Sequence, residues 1–240
     1  MKTVKIRRLN DTDFCKTTVL SPERQWTRLL HMTASYAPYS LSPVRARLPD
    51  IFNLEMPLFG GLEHSRVPLT LVHRILERAC RPGFELEQNQ EVAEVLHEFS
   101  TEHVTISRPL PYGSLRLGQD RSLWQKGYLV IDGRPVLFQI DARGSDGLDP
   151  EARRVVFSGM HAGVREVDDD FTNARLLIIQ VPRIRGVRKP RLHWGDEVEL
   201  LDYRRLVAMA EVTESLWIEA QREQERRRRG STGGAAGALL

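Results

Sequence analysis

The apolar positions of this chain change period several times, and each change predicts an element. Val92, Val95, Leu96 and Phe99 recur at i, i+3, i+4 and i+7, with Glu91, Glu94 and Glu98 off that stripe, so residues 89–103 are predicted as an amphipathic helix. Leu69, Val72, Ile75, Leu76 and Ala79 predict another helix from Pro68 to Ala79, ended by Pro82-Gly83. Ser21-Pro22-Glu23 combines an N-cap, a first-turn proline and an acid, and predicts a helix to about Ser35. Further on, the period drops to two. Gly127–Ile131 and Arg134–Asp141 read as strands joined by Asp132-Gly133, a dipeptide suited to a two-residue hairpin turn. Val136, Phe138 and Ile140 take one face of the second strand, and Gln139 and Asp141 share the other. Asp149-Pro150-Glu151 opens a helix reaching Gly159 or Arg165. Residues 174–181, ARLLIIQV, are nearly all apolar, as in a strand covered on both faces. Val4–Leu9 and Glu197–Leu201 read as short strands. Residues 202–228 read as a long helix with Leu206, Met209, Val212 and Leu216 along one face.

Between these elements, Pro38, Pro43 and Pro49 predict an irregular stretch, since proline fixes φ and removes a donor. Residues 51–64, IFNLEMPLFGGLEH, are apolar but interrupted by Pro57 and Gly60-Gly61. Asp168 to Asp170 read as a solvated acidic turn. The final GSTGGAAGALL is low-complexity and predicted disordered. The fold class is therefore α/β, a mixed sheet with flanking helices. Residues 1–88 form a mainly helical and irregular N-terminal region, 89–222 the α/β core, and 223–240 a charged helix end and tail.

Composition narrows the function classes. The chain has 240 residues and no apolar run long enough to span a membrane. Its first residues lack the apolar region of a signal peptide, so a cytoplasmic location is expected. Cys15 and Cys80 form no CxxC pair, and both thiols are expected to be packed. The seven histidines show no zinc-ligand spacing. GxSxG, GxGxxG and P-loop patterns are absent, which leaves serine-hydrolase chemistry and nucleotide cofactors without support. Net charge is only +3, but Arg183, Arg185, Arg188, Lys189 and Arg191 crowd one loop and Arg226–Arg229 another segment. Such clusters either contact phosphates or remain solvated. Trp124 and Tyr128 flank Lys126, and Trp194 follows the basic loop; aromatics beside cations either stack on bases or anchor a core.

The order helix, hairpin, helix, apolar strand, strand, helix over residues 89–220 resembles the core of the PD-(D/E)XK nuclease-like superfamily of restriction-type and transposon endonucleases. The resemblance rests on WQKGYLVIDGRPVLFQIDARGSDGLDPEARR, ARLLIIQVP and VELLDYRRLVAMAEVTESLW. It implies a phosphodiesterase centre on the hairpin, where carboxylates hold Mg²⁺ and a lysine activates water. Carried onto this chain, the catalytic candidates are Asp132, Gln139, Asp141 and Glu98, with Asp132 and Asp141 as metal ligands. The chain departs from the pattern. Lys126-Gly127 stands where the family has Pro-Asp, and Gln139-Ile140-Asp141 stands for acid-x-lysine. Arg143 supplies a charge but, being always protonated, no base. The resemblance with these departures implies a degenerate nuclease in a DNA transaction complex of transposition, restriction or defence. It would have a DNA or RNA backbone against Arg183, Arg185, Arg188, Lys189, Arg191 and Lys126, and a protein partner in the complex. Two alternatives stay open: an active Mg²⁺-dependent endonuclease with a variant site, and a non-catalytic protein-binding scaffold.

Overall fold

In a computed structural model of the chain, residues 6–32, 40–54 and 66–233 are described. Helix starts follow the capping chemistry of the sequence. In α1 (Asp11–Thr18) the Asn10 side chain accepts the Asp13 N–H at 2.9 Å, and Asp11 and Asp13 sit in the positive first turn. Proline opens α2 (Pro22–His31). Two short helices, α3 (Ser42–Ala46) and α4 (Leu48–Ile51), precede α5 (Leu69–Ala79). The helix α6 (Phe84–His103) begins earlier than predicted: Gly83, with φ 87°, precedes a first turn in which Leu86 already packs on the core and Phe84 is exposed.

Strands β1 (Ile106–Pro109), β2 (Leu115–Leu117) and β3 (Gln119–Arg121) follow. They are too short to set up a readable alternation. The hairpin of β4 (Gly127–Ile131) and β5 (Arg134–Asp141) has the boundaries that its alternation predicts. Asp132 and Gly133 take φ of 52° and 72°, the positive pair a two-residue turn requires. The Asp149 side chain caps α7 (Pro150–Met160) by accepting the Ala152 N–H at 2.9 Å, and a π-helical turn, His161–Arg165, extends it. Next come β6 (Arg175–Gln180), β7 (Arg183–Ile184), β8 (Val187–Arg188), β9 (Arg191–Trp194) and the long α8 (Tyr203–Gly233).

Five strands form one mixed sheet in the order β1-β4-β5-β6-β9. Only β5 and β6 are parallel, joined by the α7 crossover; the other neighbours are antiparallel. Leu137, Leu176 and Ile178 face α7, α8, α1 and α2 in one core. Leu129, Ile131, Val136, Phe138, Ile140, Leu177 and Ile179 face α3 to α6 in the other. Phe52, carried by the N-terminal region, lies with its ring centroid 5.1 Å from Phe138 and 6.5 Å from Phe99; such aromatic pairs add about 0.5–1.5 kcal/mol each. Helices of residues 6–88 thus complete both layers.

Some expectations change. The segment predicted as a strand over Glu197–Leu201 has no strand hydrogen bonding, and the strand falls instead on Arg191–Trp194. The segment read as a basic loop is a two-residue hairpin, with Arg185 and Gly186 at φ 51° and 84°. Residues 6–10 precede α1 without strand structure. The start of the Val4–Leu9 strand, the end of the helix predicted to Ser35, most of the apolar segment 51–64 and the tail from 234 lie outside the described residues. No described helix is long and apolar enough to cross a membrane.

Candidate functional site

The chemistry expected on the hairpin centres on the C-terminal end of β5. Asp141 stands beside Gln180 in the parallel register and is 3% exposed. Its Oδ2 accepts the Leu148 N–H at 2.7 Å and Gln180 Nε2 at 2.9 Å, and its Oδ1 accepts the Arg143 N–H at 3.4 Å. Gln180 Nε2 also donates to the Leu148 carbonyl at 3.0 Å, and Arg153 Nη1 donates to the same oxygen at 2.9 Å. A carboxylate saturated by donors in this way fastens the loop 142–149 onto the sheet. The fit is tight: a Cβ on Gly147 would stand 2.7 Å from Asp141 Oδ2 and 2.8 Å from Gln180 Nε2.

Helix α1 closes over this loop. Arg143 pairs with Asp13 at 2.9 Å and donates to Asn10 Oδ1 at 3.1 Å. The buried Lys16 ammonium donates to the Asp146 carbonyl at 2.8 Å and ion-pairs with its carboxylate. Partial burial opposes ionisation of Asp146, but the hydrogen bond and charge of Lys16, with Arg28 and Arg143, outweigh it and hold the carboxyl below its ordinary value.

The remaining catalytic candidates are not brought to Asp141. Gln139 shares its face of β5, but its Oε1 accepts from Gln125 Nε2 and from the Ile140 N–H at 3.0 Å. Asp132 lies in the exposed turn at the other end of β5, about 23 Å away at roughly 3.3 Å per residue. Glu98 is exposed on α6, which packs on the opposite face of the sheet. Among the described residues, no group of three or more His, Cys, Asp or Glu is placed to hold a metal ion.

The basic cluster divides in two. Arg188 is buried and donates to the Ala142 carbonyl at 3.1 Å, the Val181 carbonyl at 2.7 Å and Gln88 Oε1 at 2.8 Å. Arg183 pairs with Glu91, so both arginines pin the β7–β8 hairpin to α6. Arg185, Lys189 and Arg191 are exposed, while Lys126 lies before β4, three strands across the sheet from β9. The six cations therefore form no common phosphate track.

Sequence reasoning missed the buried cation that joins the chain ends. Arg121, fully buried, ion-pairs with Glu214 of α8, donates to Asp11 Oδ1 at 3.2 Å and to the Leu9 carbonyl, and stacks 4.2 Å over the Phe14 ring. Its partners are 93 and 110 positions away, and no local pattern announces them. Cys15 packs in the same core, and burial pushes its thiol far above the ordinary value.

Comparison with known proteins places these features. A family model described as "Sliding clamp-binding bacterial toxin SocB" matches residues 12–229. The chain is 34% identical over 237 residues, covering 96% of this chain and 98% of the relative, to a protein of Caulobacter vibrioides (strain NA1000 / CB15N) named "DNA replication inhibitor toxin SocB". No solved structure matches the chain. These findings overturn the PD-(D/E)XK resemblance and, with it, the degenerate nuclease acting in transposition, restriction or defence. The physical reason is visible at Asp141: helix–hairpin–helix order is shared by many α/β folds, and here the key carboxylate is bound up in holding a loop. With a match that runs through both cores, the chain belongs to the SocB family of sliding clamp-binding bacterial toxins.

Proposed function

We propose that this protein binds a bacterial sliding clamp and so inhibits DNA replication, acting in the cytoplasm as a binding protein. The observation that carries the reading is the unbroken family match over residues 12–229, with a relative aligned over nearly its whole length. The fate of Asp141 supports it, since the carboxylate that a nuclease would spend on metal is spent on the fold. Inhibition then follows mass action. The protein competes with a replication factor for one surface of the clamp, and the effect scales with its concentration relative to Kd.

Residues 56–62, MPLFGGL, lie outside the described residues and carry Met56, Leu58, Phe59 and Leu62 within seven positions. An apolar sequence of this composition suits a hydrophobic groove on a partner, and we assign the contact to it. The test is a titration of the purified chain against the clamp of the same bacterium. Micromolar or tighter binding is expected, about −8 kcal/mol or better. A Leu58→Ala/Phe59→Ala variant should lose it while keeping the wild-type circular dichroism. In reconstituted replication, excess clamp should relieve the inhibition. No binding at roughly 100 μM, about −5.5 kcal/mol, would reject the proposal.

A further inference from the structure

The two edges of the sheet are unlike. Edge strand β1 ends in Pro109, which has no N–H to offer. Among the described residues, no strand pairs with the outer side of edge strand β9. The Gly195 N–H donates to the Leu176 carbonyl at 2.9 Å, which makes that pair hydrogen-bonded and fixes the alternation along β9. His193 and Arg191 therefore bond inward to β6, whereas the N–H and C=O groups of Leu192 and Trp194 point out.

Beside this edge, between β9 and α7, lies a cavity of about 380 Å³ lined by Arg153, Phe157, Leu192, His193 and Trp194, among others. His193 Nε2 is shut from solvent and has no hydrogen-bond partner among the described residues. Asp196 and the exposed Glu197 also line the cavity; Arg175 neutralises Asp196 at 2.8 Å while stacking 3.8 Å over the Trp194 ring. Exposed Lys189 and Arg191 stand at the start of the edge, with Arg185 at the tip of the β7–β8 hairpin. Next to them Ile184 and Val187 are 41% and 56% exposed, and Leu192 is 38% exposed. Unpaired backbone and a side-chain cavity are the parts of a strand-addition site, and the exposed apolar and basic neighbours bear on which segment it accepts.

We propose that β9 accepts an extended segment of a partner protein, acidic at alternate positions, which pairs with Leu192 and Trp194 and sets one carboxylate in the cavity against His193 and Arg153. Charge complementarity selects this occupant. A second copy would offer Arg-Leu-His-Trp, which has no carboxylate for the cavity. The inference rests on the β9 edge alone and does not depend on clamp binding.

The test uses the full chain and two synthetic octapeptides, alternating glutamate–valine and alternating lysine–valine, with amide hydrogen exchange as the readout. The glutamate peptide should slow exchange at Leu192 and Trp194 at least ten-fold, and the lysine peptide should not. Leu192→Pro removes an outward donor without breaking a bond to β6, and should abolish the protection at Trp194 in a chain that keeps its circular dichroism. His193→Ala, which leaves the edge backbone intact, should weaken glutamate-peptide binding about ten-fold. Equal protection by both peptides, protection by neither, unchanged affinity in His193→Ala, or protection that appears without peptide and grows with protein concentration would each overturn the proposal.

Discussion

Replacing Asp141 by alanine distinguishes a carboxylate that holds a loop from one that holds a metal. In the structure its Oδ2 accepts the Leu148 N–H at 2.7 Å and Gln180 Nε2 at 2.9 Å. Alanine leaves the buried Leu148 donor unpaired, which costs about 2–3 kcal/mol, and removes about 1 kcal/mol at Gln180, which keeps its bond to the Leu148 carbonyl. Taking a charge out of a buried site returns part of this, so the net loss should be about 2–3 kcal/mol. Asp141→Asn keeps an acceptor for Leu148 and should lose about 1 kcal/mol. Urea unfolding followed by tryptophan fluorescence measures both, with Mg²⁺ as a second axis. A ligand that binds only the folded state stabilises it by RT ln(1 + [L]/Kd). Asp141→Ala within about 0.5 kcal/mol of wild type would refute the reasoning. So would Mg²⁺ stabilising the wild type but not the variant, which would make the carboxylate a metal ligand.

Other outcomes follow from the same geometry. Gly147→Ala, whose methyl would meet Asp141 Oδ2 at 2.7 Å, should cost about 1–3 kcal/mol by the same unfolding assay. Arg121→Met leaves Glu214 buried without its cation and should cost about 3–5 kcal/mol, while the Arg121→Met/Glu214→Gln double variant should be more stable than the single one. If the two substitutions merely add, the pair is not coupled. Burial holds the Cys15 thiol protonated, so iodoacetamide at pH 8 should label it only as fast as the chain unfolds, and rapid labelling of native protein would contradict the packing. Burial, with Arg153 and Arg191, lowers the His193 value from 6.5; the unfolded chain then binds the extra proton first, so stability falls as pH drops below about 6.5. His193→Gln should flatten that part of the pH–stability curve, and an unchanged slope would assign it to another group.

The hairpin was legible because its signals are local. Alternation over Val136–Asp141 and the turn preference of Asp132-Gly133 lie within one short stretch, and the structure keeps both. The apolar run 174–181 likewise revealed a doubly covered strand. Helix α1 was hidden because its sequence, DTDFCKTT, carries only Phe14 and Cys15 as apolar anchors and its cap is a side-chain geometry. Edge strand β9 was misplaced because Arg191-Leu192-His193-Trp194 is half polar, and only pairing with β6 makes it a strand. The candidate site misled for a related reason. Composition put Arg183 and Arg188 among the phosphate contacts, yet Glu91, Gln88 and two carbonyls claim them, and those partners are up to 100 positions away. Sequence showed which residues carry charge; only the fold showed which charges were already spent.

The clasp between Arg121 and Glu214 has a consequence for when the protein folds. Leu9, Phe14 and Leu29 from the beginning of the chain share one core with Leu206, Ala210 and Trp217 near its end. On the ribosome Leu9, Phe14 and Leu29 therefore emerge long before α8, whose docking completes the core. Contacts of such long sequence separation form late and slowly. A chain broken off within α8 leaves Arg121 without its carboxylate and the α1–α2 surface bare, a target for cellular proteases. Any activity that needs this core intact therefore waits for α8 to dock, and a cell has that interval in which to remove the chain.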